Sequence, residues 1–128
     1  MKKIVAVSVL VACGLLAANG IAGAQSAEPV TIGSGYARGD VGYVHNTSDS
    51  NQLIGCQVYV VMGQITVECY ARDQSNKYGL CFKNDADAAT AQAVEAIDSD
   101  SYVEFDWDNF GRCTDILVKK DSIGVPKH

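Results

Sequence analysis

The stretch CQVYVVMGQITVEC, residues 56–69, sets the register of a β-hairpin with a cysteine at each end. Apolar and polar residues alternate on both sides of Met62-Gly63, so we predict a two-residue turn there. Counting outward from that turn places Cys56 directly opposite Cys69, at a non-hydrogen-bonded pair. Cα atoms at such pairs lie about 4.5 Å apart, within the range that a disulfide tolerates. The sequence therefore predicts a cross-linked hairpin.

The same register sorts the hairpin's side chains into two faces. The apolar face, predicted to point into the core, comprises Ile54, Cys56, Val58, Val60, Ile65, Val67, Cys69 and Ala71. Tyr59 and Tyr70 lie on the outward face, where aromatic rings can stack on sugars or anchor a protein partner. Tyr70 also faces Gly55, and an aromatic ring over a strand glycine stabilises a sheet without any ligand. Together with Tyr102 on a later strand, these tyrosines form the candidate binding surface.

Residues 1–24 have the layout of a secretory signal peptide. Two lysines precede an apolar run, and a small-residue cleavage site ends at Ala24. The alternatives are a lipoprotein anchored through Cys13 and a membrane anchor, for which the interrupted apolar run is barely long enough. We therefore expect residues 25–128 to form a single secreted or periplasmic β-rich domain, with no transmembrane segment after processing.

The charge of the processed chain disfavours one class of partner. Cleavage after Ala24 removes two of the ten basic residues and none of the fifteen acidic ones, which leaves a net charge of about −7. Such a field repels a phosphate backbone, so nucleic acid is not expected as a partner. No motif indicates a cofactor.

Four cysteines remain after cleavage, and an even number in an exported chain predicts two disulfides. A metal site would favour close C-x-x-C pairs or histidine partners, which this spacing does not provide. We favour Cys56–Cys69 with Cys81–Cys113. The alternative is Cys69–Cys81 with Cys56–Cys113, because a small register change in the next strand would bring Cys81 opposite Cys69.

The remaining elements follow from alternation and turn residues. Strands are predicted over 77–83, 101–108 and 113–119, and residues 31–46 predict one long bent strand or two short ones. Residues 84–97 predict the one helix, capped by Asn84 or Asp85. Its apolar face comprises Ala86, Ala89, Ala93, Val94 and Ile97. The predicted class is α+β but mostly β, a disulfide-stapled small antiparallel sheet or OB-like barrel in the order β-β-β-β-α-β-β.

Three short motifs suggest chemistry but have simpler explanations. Residues 38–40 spell the adhesion tripeptide RGD, which a glycine turn between strands also explains. Asp106 and Asp108 echo a calcium loop whose other ligand positions are missing, so they offer a weak calcium site and no metal site proper. His45 precedes serines and an aspartate, as a small hydrolase would need, yet HNTSDS is also turn chemistry. We expect no catalytic residues.

Two stretches, NTSDSNQLIGC at 46–56 and SDSYVEFDWD at 99–108, resemble segments of small exported bacterial proteins of unassigned function. This resemblance implies export and a four-cysteine β fold, and it implies no activity. At the level of element order alone, the chain is also similar to the small barrels of bacterial enterotoxin binding subunits, an OB-like arrangement that binds glycans.

These observations favour a protein that acts by binding and not by catalysis. The expected partner is a glycan or another envelope component, or a protein target. The alternative is a structural, envelope-associated protein without a dedicated ligand, and a small hydrolase is a more distant alternative.

Overall fold

A computed structural model of the chain describes residues 28–120. The predicted signal peptide and Cys13 lie outside these residues. The elements in chain order are β1 Thr31–Gly33, β2 Tyr36–Asp40, α1 Val41–Asn46, β3 Leu53–Val61, β4 Gln64–Arg72, β5 Tyr78–Lys83, α2 Ala88–Glu95, β6 Tyr102–Trp107 and β7 Cys113–Lys119.

The strands form two antiparallel sheets. One has four strands in the order β1-β2-β6-β7, and the other has three in the order β3-β4-β5. The sheets meet where the N–H of Phe82 donates to the carbonyl of Gly111 at 2.9 Å, within a parallel bridge between Phe82 and Arg112. The predicted class, mostly β with disulfides, is confirmed.

The predicted register of the central hairpin is confirmed. Val61 pairs with Gln64 and Cys56 pairs with Cys69 across β3 and β4. Both turn residues have positive φ, 50° at Met62 and 79° at Gly63, as a type I′ turn requires. The buried part of the apolar face is shorter than predicted, because Val60 is 66% exposed where the hairpin extends past the core.

The favoured disulfide pairing is present. Cys56 is bonded to Cys69, with Cα atoms 4.0 Å apart, and Cys81 is bonded to Cys113, with Cα atoms 5.0 Å apart. The second bond joins β5 of the three-stranded sheet to β7 of the four-stranded sheet. Cys81 also lies opposite Cys69 in the β4–β5 register, yet the alternative pairing is wrong.

The core lies between the sheets. Its larger fully buried apolar side chains are Phe105, Val67, Val103, Cys69 and Cys81. The indole of Trp107 is half-buried and packs against the buried Gly79, where a Cβ atom would lie 2.9 Å from the ring. The alternation of β6 therefore places its apolar side chains inward, as predicted.

The prediction for residues 31–46 was wrong over its second half, because the structure has a second helix, α1, where continued strand was expected. Asp40 ends β2 and caps this helix: its Oδ1 accepts hydrogen bonds from the N–H groups of Gly42 and Tyr43 at 3.1 and 3.3 Å. The glycine turn proposed for residues 38–40 is also wrong, since these residues belong to β2.

Helix α2 begins later than predicted. Its N-cap is Asp87, whose Oδ1 accepts a hydrogen bond from the N–H of Thr90 at 2.7 Å, and not Asn84 or Asp85. Asp85 has a left-handed backbone with φ 53°, and the N–H of Ala86 donates to the carbonyl of Ile65 on β4. The preceding segment is thus tied to the sheet and cannot extend the helix. On its buried side Ala91 replaces Ala89, which is exposed.

Candidate binding surface

The three-stranded sheet has one side turned away from the core, which we call the outer face. Its side chains lie in cross-strand rows set by the register. The rows are Leu53–Arg72–Tyr78, Gly55–Tyr70–Leu80, Gln57–Glu68–Phe82 and Tyr59–Thr66. Both tyrosines selected from the hairpin, Tyr59 and Tyr70, therefore lie on this face, separated by the Gln57–Glu68 row.

Tyr70 lies over Gly55, as predicted. A Cβ atom built on Gly55 would lie 3.4 Å from the hydroxyl oxygen of Tyr70. Tyr70 is half-buried and also lines a shallow cleft of about 390 Å³ with Val44 and His45 of α1. Its ring therefore contributes to the stability of the sheet at the margin of the outer face.

The most exposed apolar side chains of the outer face come from β5. Tyr78 is 65% exposed, Leu80 44% and Phe82 37%. We call these three residues the β5 stripe. Sequence reasoning identified this strand but missed the stripe, although the alternation in KYGLCFK already places Tyr78, Leu80 and Phe82 on one side.

Polar contacts surround and orient the β5 stripe. The guanidinium of Arg72 lies 5.6 Å from the ring centre of Tyr78, and its Nη1 donates to the tyrosine hydroxyl at 3.0 Å. Beside Phe82, the amide of Gln57 donates to the carboxylate of Glu68 at 3.0 Å. The stripe thus combines an apolar centre with a hydrogen-bonded polar border, as protein-binding surfaces do.

A second exposed aromatic lies beyond the end of β5. Phe110, in the turn between β6 and β7, is 82% exposed, and the guanidinium of Arg112 lies 5.0 Å from its ring centre. Phe110 and Phe82 line an open cleft of about 550 Å³ together with Asn84 and Asp108. We call this the Phe110 cleft. It was not predicted, because DNFG indicated only a turn.

Tyr102, the third predicted binding residue, lies away from the outer face. It belongs to β6 in the four-stranded sheet, and its hydroxyl donates to the carboxylate of Glu104 at 3.0 Å. The ammonium of Lys119 lies 5.3 Å from its ring centre. Burial, followed by the hydrogen bond to Glu104 and then the charge of that carboxylate, raises the pKa of the Tyr102 phenol. The structure therefore does not bring Tyr102 together with Tyr59 and Tyr70.

The two aspartates of the weak calcium motif have different surroundings. Asp108 accepts hydrogen bonds from the N–H groups of Arg112 and Phe110, and its carboxylate forms an ion pair of 2.7 Å with the Arg112 guanidinium. These contacts, the N–H of Arg112 first, lower the pKa of Asp108. Asp106 lies opposite Asp115 on β7. Desolvation, followed by the nearby carboxylates, raises the pKa of Asp106. The oxygens of Asp108 are thus already engaged by its own turn.

The remaining two motifs, HNTSDS beginning at His45 and the RGD tripeptide at 38–40, differ in exposure. His45 is exposed on α1 beside the shallow cleft that Asp49 and Tyr70 also line. The carboxylate of Asp40 is 1% exposed and caps α1, so the RGD tripeptide is not displayed to a receptor.

Comparison with known proteins gives no assignment for this surface: no protein-family model, curated protein or solved structure matches the chain. No helix within residues 28–120 is long and apolar enough to cross a membrane. The two disulfides are typical of an oxidising environment outside the cytoplasm.

Proposed function

We propose that the protein is an exported, disulfide-stabilised β domain that binds another protein through the outer face of its three-stranded sheet. The observation that carries this proposal is the β5 stripe, in which Tyr78, Leu80 and Phe82 are exposed side by side. Large apolar side chains exposed together on a small domain favour an interaction site.

The composition of the outer face supports a protein partner. Tyrosine, phenylalanine and arginine are enriched at protein interfaces, and all three are present in neighbouring rows. The ring of Tyr78 is held by Arg72, so little side-chain entropy would be lost when a partner covers it.

The test is capture of partners from envelope extract by the processed chain, residues 25–128, carrying a photo-cross-linker in place of Gln57, an exposed residue of the outer face in the same row as Phe82. We expect cross-linked protein bands that disappear in the double variant Leu80→Ser/Phe82→Ser. The matched control is Leu117→Ser, because Leu117 is exposed to a similar extent, 42%, but lies on β7 of the other sheet. The control should retain capture.

Three results would overturn this proposal. Equal capture by the double variant and the control would remove the outer face as the site. Cross-linking of the protein only to itself, lost in the double variant, would assign the surface to self-association. The absence of any cross-linked species would favour the structural, envelope-associated alternative.

A second candidate function, glycan binding, is favoured by the Phe110 cleft. The exposed ring of Phe110 offers a face for a sugar, and Asn84, Asp108 and Arg112 offer donors and acceptors for its hydroxyl groups. Titration of the protein with soluble cell-wall oligosaccharides, followed by NMR, would show shifts concentrated around Phe110. Loss of binding in Phe110→Ala but not in Leu80→Ser would separate this candidate from the first.

A further inference from the structure

The two disulfides lie beside each other in the core. The Sγ atoms of Cys69, Cys81 and Cys113 lie within 4.8 Å of one another, and Cys56 is bonded to Cys69. The register also aligns Cys56, Cys69 and Cys81 in one row across β3, β4 and β5. Cys69 therefore has a cysteine directly opposite it on each neighbouring strand.

Cys69 and Cys81 lie opposite each other without being bonded, and their backbone positions are compatible with a disulfide. Cys69 is at a non-hydrogen-bonded pair with Cys56, so its backbone groups point toward β5 and it forms a hydrogen-bonded pair with Cys81. Cα atoms at hydrogen-bonded pairs lie about 5.5 Å apart, within the usual range for a disulfide. The sheet can thus remain paired when the bond moves from one side of Cys69 to the other.

We propose that the two disulfides form an exchange pair, through which an external low-molecular-weight thiol that opens Cys81–Cys113 generates a Cys69–Cys81 bond and releases the thiol of Cys56. The geometry that supports this is the proximity of the three sulfur atoms and the row of three cysteines. This inference is independent of the proposed binding function.

The exchange consists of two thiolate displacements. In the first, the external thiolate bonds to Sγ of Cys113, the Cys81–Cys113 bond breaks, and Cys81 leaves as a thiolate with the electron pair. In the second, the Cys81 thiolate bonds to Sγ of Cys69, the Cys56–Cys69 bond breaks, and Cys56 leaves as a thiolate that takes a proton from water. Two disulfides exist before and after, one of them now mixed with the external thiol, so no oxidant is needed.

The exposures and clefts fit this direction. Cys113, although only 8% exposed, lines both the Phe110 cleft and a second cleft of about 240 Å³ with Lys83 and Asp87, and these clefts bring a small thiol next to this residue. Cys56 is half-buried on the edge strand β3, whereas the other three cysteines are buried. Reactivity would therefore move from the cleft near β7 to the opposite edge of the three-stranded sheet.

The first experiment uses the unaltered protein, so a folding defect cannot obscure it. The folded protein is incubated with glutathione at mildly alkaline pH, quenched with acid, alkylated and mapped by mass spectrometry. We expect a Cys69–Cys81 linked peptide, glutathione on Cys113 and the alkyl group on Cys56, all absent without glutathione. The proposal would be overturned if glutathione opens Cys81–Cys113 but Cys56–Cys69 stays intact and the alkyl group is found on Cys81.

The second experiment uses two single variants that should converge on the same bond. In Cys113→Ser the remaining thiol is that of Cys81, and in Cys56→Ser it is that of Cys69. Exchange predicts Cys69–Cys81 in both, with Cys56 alkylated in the first variant and Cys113 in the second. The proposal would be contradicted if each variant kept its one remaining native disulfide, which is Cys56–Cys69 in Cys113→Ser and Cys81–Cys113 in Cys56→Ser.

Discussion

Met62 occupies a backbone position that L-residues other than asparagine and aspartate rarely adopt. Its φ of 50° at the first central position of the hairpin turn brings Cβ close to the backbone, a conflict that asparagine tolerates better. We predict that Met62→Asn raises the free energy of unfolding by about 0.5–1 kcal/mol. Urea denaturation followed by circular dichroism measures the change.

The control for this prediction is Met62→Leu, which keeps an apolar side chain in the same strained conformation. Met62 is 98% exposed, so neither variant loses packing. The leucine variant should match the parent protein, and a similar gain in both variants would show that backbone conformation is not the cause.

Asp40 illustrates a buried carboxylate that serves two purposes. It ends β2 and caps α1, and at 1% exposure its desolvation raises its pKa above the ordinary value of 3.8, despite hydrogen bonds from two N–H groups that act in the opposite direction. The folded protein therefore binds this proton more tightly than the unfolded chain does. The contribution of Asp40 to stability falls as the pH rises from about 3.8 through the raised pKa.

We predict different effects for two substitutions of this residue. Asp40→Asn keeps a capping oxygen and removes the buried charge, so its stability relative to the parent should increase as the pH rises from 4 to 7. Asp40→Ala loses the cap and should lower the free energy of unfolding by about 1–2 kcal/mol. Denaturation curves at several pH values test both, and a constant difference between Asp40→Asn and the parent across this range would contradict the proposed role of the charge.

At the scale of elements, the packing between the sheets depends on one glycine in β5. A Cβ atom on Gly79 would lie 2.9 Å from Cη2 of Trp107 and 3.4 Å from the Cβ atom of Ala37, both in the other sheet. We predict that Gly79→Ala lowers the free energy of unfolding by about 1–3 kcal/mol, because the rigid indole has to move. Thermal and urea denaturation provide the measurement.

A second strand glycine provides a matched control. Gly55, in β3 of the same sheet, would place its Cβ atom 3.4 Å from the hydroxyl oxygen of Tyr70, close to ordinary van der Waals contact. Gly55→Ala should change stability by less than about 0.5 kcal/mol. Equal losses in the two variants would attribute the effect to strand conformation. Partial rescue of Gly79→Ala by Trp107→Leu would confirm the contact with the indole.

The elements that could be predicted are those defined by local patterns. The central hairpin was predicted residue by residue, because the alternation and the short turn specify the same register. Helix α1 could not be predicted, since six residues with valine, glycine and tyrosine have little helical preference and a short helix depends on tertiary packing. The start of α2 was missed because Asn84, Asp85 and Asp87 are all suitable caps, and a contact with β4 selects the last.

For the whole molecule, contacts distant in sequence limit what could be predicted. β2 pairs with β6 from Tyr36 opposite Asp106 to Asp40 opposite Tyr102, and no local pattern indicates that partner. For the same reason, only part of the candidate binding surface could be predicted from the sequence. The hairpin register placed Tyr59 and Tyr70 on the outer face, but the exposure of Leu80 and Phe82 depends on which elements cover β5.

The two disulfides act at different scales, and their removal should therefore differ. Cys56–Cys69 closes a hairpin already aligned by nine cross-strand pairs and spans 13 residues, whereas Cys81–Cys113 spans 32 residues and joins the two sheets. The chain-entropy estimate gives about 3 kcal/mol for the first loop and about 4 kcal/mol for the second.

We predict that Cys81→Ala/Cys113→Ala lowers the free energy of unfolding more than Cys56→Ala/Cys69→Ala. In the former variant the near-ultraviolet signal of Trp107, which packs between the sheets, should be lost at lower urea than the far-ultraviolet signal, because the sheets can separate before they unfold. A larger loss in the hairpin variant, or coincident transitions in both, would show that the sheets are held together mainly by their apolar contacts.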